Sequence, residues 1–156
     1  MIPANPFRSF TYATLAVATV ASGCSDLTGL ERELVANREL WESRGPASYV
    51  FDYRVVCYCP PQITRAVTIT VDDDEVVGAS YVDSGEPVDP FDPGDFPIVD
   101  DLFGEIESAL AQDPYSVRAE YDPQLGYPTD VFIDFEENIA DEEWGFVVGR
   151  FVSSPG

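Results

Sequence analysis

The chain has 156 residues, 29 acidic and eight basic, no histidine, and a formal charge of −21. All eight basic residues are arginine, too few for the clustered positive field that a nucleic-acid surface needs, and without histidine neither Ser-His-Asp and Cys-His catalysis nor His-ligated metal centres are available. Apolar residues make up 45% and aromatics 13%, which excludes a disordered acidic tail and supports one buried core at this length.

Residues 1–23 read as an address. One charge, Arg8, precedes a short run of small apolar residues, Ala13 to Val20, and then Ala21-Ser22-Gly23-Cys24. This is the layout of a secretory signal, and the run is shorter than the roughly 20 residues that span a bilayer. Small side chains directly before Cys24 resemble a bacterial lipobox, in which that cysteine is acylated and becomes the new N-terminus. Lipidation of Cys24 is therefore expected, and each buried acyl methylene adds about 0.8 kcal/mol of membrane affinity. Removal of 1–23 leaves 133 residues with seven arginines and 29 acids, a charge of −22. Such a charge favours solubility and opposes compaction.

Residues 24–29 are predicted to be a tether. Thr28 and Glu31 fit a capping box, and Leu30, Leu34 and Trp41 fall on one helical stripe, stopped by Gly45-Pro46. From Tyr49 the period becomes two, with Tyr49, Phe51, Tyr53, Val55, Cys57 and Cys59 on one face until Pro60-Pro61 ends the strand. Arg65–Val71 and Glu75–Val82 form two more strands, antiparallel across the Asp72-Asp73-Asp74 turn. Residues 83–97 lose periodicity and read as a long mobile loop.

A second helix follows, with Asp100 and Asp101 in its first turn and Leu102, Phe103, Ile106, Ala109 and Leu110 as its buried stripe. Tyr115–Tyr121, Val131–Phe135 and Trp144–Val152 are the last strands, separated by a loop over 122–128 and an acidic turn over 136–143. The rhythm suggests an internal duplication. The expected fold class is α+β, one domain over 30–152. An antiparallel sheet of about six strands carries two helices on one face, in the order α-β-β-β-α-β-β-β.

Trp41, Tyr49-x-Phe51-x-Tyr53, Cys57-x-Cys59-Pro60, Leu102-Phe103, Asp122-Pro123, Gly126-Tyr127-Pro128 and Asp141-Glu142 occur in that order behind the lipobox cysteine. In this the chain resembles a bacterial domain-of-unknown-function family of envelope lipoproteins, over roughly residues 30–152. The resemblance implies an extracytoplasmic, membrane-anchored location and an α+β domain, but no activity. The strand-Gly-Tyr-Pro-strand unit is also similar to small secreted PepSY-like modules, some associated with restraining peptidases, which is an analogy of fold alone.

Cys57 and Cys59 are the sharpest feature. In a regular strand their Cα atoms would lie about 6.6 Å apart with parallel side chains, unsuited to a disulfide. The bend at Pro60-Pro61 and an oxidising compartment make a Cys57–Cys59 disulfide the preferred reading. Its small loop adds little stability. A redox-active dithiol needs nearby positive charge that this surface lacks.

Asp89, Asp92 and Asp95, in a glycine-containing loop, are the calcium candidates, against the plainer reading of a solvated acidic loop. Tyr127 is a candidate interaction surface, against a turn in which Gly126 supplies positive φ. No catalytic residue, resident metal or cofactor is expected. The leading expectation is a non-enzymatic, lipid-anchored binding or scaffolding domain, whose partners are the membrane through the anchor and an envelope protein, not nucleic acid. The alternatives are a calcium-responsive module and a carboxylate-dependent hydrolase whose two acids would meet only in the fold.

Overall fold

Thr28 opens the first helix, α1 (Gly29–Arg44), by the reciprocal bonds the sequence predicts. Its hydroxyl accepts from the Glu31 N–H at 3.2 Å, and its own N–H donates to the Glu31 carboxylate at 2.6 Å. The computed structural model describes residues 28–139 and 141–154. At the other end of α1, the Gly45 N–H closes on the Trp41 carbonyl at 2.6 Å. A Cβ at Gly45 would lie 2.7 Å from the Trp41 ring, so glycine lets the indole fold under the helix end.

Six strands follow from the period-two segments: β1 (Tyr49–Cys57), β2 (Val67–Asp72), β3 (Glu75–Tyr81), β4 (Ser116–Tyr121), β5 (Pro128–Asp134) and β6 (Trp144–Ser153). The second helix, α2 (Val99–Leu110), sits between the two sets of three. All pairings are antiparallel, in the order β3-β2-β1-β6-β5-β4. The α+β class and the element order are those expected.

Both helices cover one face. Leu34 and Trp41 from α1, and Val99, Leu102, Phe103, Ile106 and Ala109 from α2, join Tyr49, Phe51, Tyr53, Ile69, Val131, Ile133 and Phe146 in one core. Burying large side chains of this kind contributes about 1.5–3 kcal/mol each. The internal duplication does not survive the topology. In an antiparallel sheet of this order β1 runs opposite to β4, so superposing the halves would put their helices on opposite faces. They share one.

The β1–β6 register shifts between Phe51, opposite Phe151, and Tyr53, opposite Val148. Two β6 residues, Gly149 and Arg150, therefore stand against Asp52 alone, a β-bulge. The bulge returns Phe151 to the core face although it lies three positions beyond Val148. It divides the central sheet in two. On one side Trp41, Tyr49, Tyr127 and Phe151 pack as an aromatic cluster; on the other, Tyr53, Phe146 and Trp144 line up towards the Cys57 end.

The 83–97 loop is tied down, contrary to the free segment expected. The Val88 N–H donates to the Ala79 carbonyl at 2.9 Å and the Tyr81 N–H to the Glu86 carbonyl at 2.9 Å, so the chain folds back along β3. Arg65 grips Asp83 with two bonds of 3.1 and 2.6 Å while stacking over Tyr81. A single 3₁₀ turn, Pro93–Asp95, then leads into α2. No helix among the described residues is long and apolar enough to cross a membrane.

Candidate functional site

Cys24 and the 1–23 segment lie outside the described residues. Cys57 and Cys59 are bonded, their Cα atoms drawn to 5.2 Å because β1 ends at Cys57 and the chain turns before Pro60. Cys57 is also the last β1 residue to pair with β6, opposite Trp144.

Tyr127 is not an interaction surface. Only 7% exposed, it stacks on Phe151 at 4.4 Å and meets Trp41 edge-on at 6.2 Å. The turn itself is as read, with Gly126 at φ +84°, but the ring points inward because α1 rests on the turn. The calcium candidates are not brought together either. Asp92 spends its carboxylate on the Gly94 N–H at 3.0 Å, capping the 3₁₀ turn. Among the described residues no group of three or more acids or cysteines could hold a metal ion. Asp89, Asp92 and Asp95 are all exposed.

Another set of side chains does converge, between α2 and the sheet. Tyr53 and Val55 from β1, Ile133 from β5 and Trp144 from β6 form the apolar floor of an open groove of about 870 Å³. Phe135, just past β5, extends this floor. One flank of α2 is the wall, presenting Asp101, Gly104, Glu105 and Ser108, and the segment Gly94–Pro97 completes the lining. The groove exists because α2 buries Leu102, Phe103, Ile106 and Ala109 against the sheet, while Gly104, one step round the helix, carries no side chain. A Cβ at Gly104 would have nothing within 4 Å.

Glu105 is the chemically unusual residue of this wall. Its Oε2 is shut off from solvent and has no hydrogen-bond partner. Burial, reinforced by the negative charge of Asp101 one turn earlier, pushes its carboxyl up to about 7. The Tyr53 phenol below is raised as well, first by burial and then by the Glu105 charge. Asp101 is anchored at the helix start, where it accepts from the Ile98 N–H at 3.0 Å. The lining contains Asp95, Asp100, Asp101 and Glu105 and no arginine.

Chemically, this is a negative, aromatic-floored slot with one neutral-pH proton site. Asp100, Asp101 and Glu105 stand on α2, and Asp95 stands on the 3₁₀ turn that precedes it. A signal did exist in the sequence. Glu105 lies three residues after Leu102 and four before Ala109, an acid on the apolar stripe of α2, beside a glycine in mid-helix.

The chain belongs to a family described as a family of unknown function (DUF6174), whose model matches residues 33–153. The match takes in most of α1, all of α2, all six strands and the groove. No curated protein matches the chain, and no solved structure does.

Proposed function

We propose that the protein is an exported, lipid-anchored binding domain with no catalytic activity, and that the groove between α2 and the sheet is where it binds. The observation that carries the binding reading is an apolar floor beside a carboxylate oxygen that is buried without a partner. Largely preformed clefts with an apolar lining and a few convergent polar groups are the usual form of ligand sites. An unsatisfied buried oxygen costs about 1–3 kcal/mol, a cost that the fold carries in the wall of this groove. The anchor reading is supported by the charge, short apolar run and small residues ahead of Cys24. The lack of histidine and lysine anywhere in the chain, the usual neutral-pH proton-transfer groups, supports a non-catalytic role.

The test expresses the 156-residue chain in a bacterial host. Intact-mass measurement of the membrane fraction is expected to find a chain beginning at acylated Cys24; a soluble product retaining Met1 would overturn the anchor. For the groove, a photoreactive amino acid at Ser108 is expected to form an adduct that Gly104→Leu suppresses. Equal labelling from the opposite sheet face at Thr70, or labelling indifferent to the 104 substitution, removes the groove as the binding site.

A further inference from the structure

We propose that the groove takes an organic cation with an apolar body, its charged head seated at Glu105 and its body on Tyr53, Phe135 and Trp144. The inference rests on the groove being the binding site and adds the class of ligand.

Charge complementarity makes the choice. Four carboxylates line the groove and no cation answers them. An anionic ligand would meet uncompensated like charge in a partly desolvated slot. A neutral apolar ligand would desolvate the Glu105 carboxyl further without answering its charge. A ligand ammonium answers that charge from the groove side, and charge-assisted bonds to a carboxylate are about twice as strong as neutral ones. The floor favours the same ligand, because aromatic faces carry negative potential and attract cations within about 6 Å of the ring centre. A volume of about 870 Å³ admits a ligand of this class with room for an apolar body.

Protonation sharpens the expectation. The groups facing Glu105 are Asp101 on its own helix and the Tyr53 phenol on β1, with Asp95 and Asp100 further along the lining; β5 and β6 contribute only Ile133, Phe135 and Trp144. With its carboxyl raised to about 7, Glu105 sheds its proton between pH 6 and 8. A cation prefers the ionised form, so its affinity strengthens as pH rises through that interval.

The chain has two tryptophans. Trp41 is buried in the other aromatic cluster and Trp144 lies in the groove, so indole fluorescence reports occupancy. The full chain is titrated with phenethylammonium, phenethyltrimethylammonium, 2-phenylethanol and phenylacetate, with calorimetry in parallel. The expected order is the primary ammonium first, its trimethyl form next, the alcohol weaker by about tenfold or more, and the anion last. Glu105→Gln is expected to remove most of the preference for the ammonium together with its pH dependence. Trp144→Phe should abolish the fluorescence change while calorimetric binding persists, and Gly104→Leu should weaken every probe.

Alcohol and ammonium binding alike, with both lost in Gly104→Leu, would overturn the cation class and leave the groove standing. Binding of every probe unaffected by Gly104→Leu would overturn the groove itself. No binding of any probe at about 10 mM would overturn the proposal while the Ser108 labelling still reports on the groove.

Discussion

A carboxyl at position 105 weakens the fold in a way that glutamine would not. In the unfolded chain Glu105 ionises near its ordinary value of 4.5; in the folded protein it does so near 7, because burial and Asp101 both oppose its charge. Between those values the folded state holds a proton that the unfolded state has released. Stability from this group is therefore complete below about pH 4.5 and is lost as pH rises through about 7. Glu105→Gln should leave stability nearly unchanged at pH 4.5 and raise it by about 1–2 kcal/mol at pH 8, the full effect being discounted for partial solvent exposure. Urea denaturation of both proteins at the two pH values checks this, and equal differences at both would show that the carboxyl is not desolvated. A fold that keeps such a residue gives up stability at a place where a ligand can restore it.

Among the elements, the β4–β5 turn is where α1 touches the strand-loop system. Gly126 has φ +84°, and a Cβ there would collide with the Asn37 carbonyl oxygen. Gly126→Ala should cost about 2 kcal/mol or more, from the left-handed backbone and the displaced helix together; a melting temperature equal to the parent's would show that α1 rides free of this turn. The same turn shows where sequence reading stops. Helices and strands were legible because their burial is periodic, and the capping box because its partners are three residues apart. Tyr127 was misplaced because its neighbours, Trp41 and Phe151, are distant in sequence, and a Gly-Tyr-Pro triplet carries no sign of which helix rests on it. The bulge that returns Phe151 to the core hid in an odd spacing, with Gly149 its only local mark. Glu105 went unread for another reason. Its position on the α2 stripe is visible, but the uncovered strip of sheet beside it depends on where α2 crosses β1, β5 and β6.

At the scale of the whole molecule, charge is the governing quantity. Among the described residues, ion pairs engage Arg38, Arg65, Arg118 and Arg150, with distances of 2.6–3.3 Å and partly exposed partners. Exposed pairs of this kind contribute about 0–1 kcal/mol each, which is small beside the self-repulsion of a chain at −21. Salt shortens the reach of that repulsion, to about 10 Å at 0.1 M and less above it. The melting temperature should therefore rise between about 20 mM and 500 mM sodium chloride; a fall would mean that the arginine pairs outweigh the repulsion. Connectivity has an effect of its own. The middle of the sheet joins β1, the first strand, to β6, the last. A ribosome must deliver all six strands before the central ladder can close, and contacts so remote along the chain form slowly. Until residues 144–153 emerge, the nascent chain lacks its keystone strand, and the two flanking hairpins have nothing to join them.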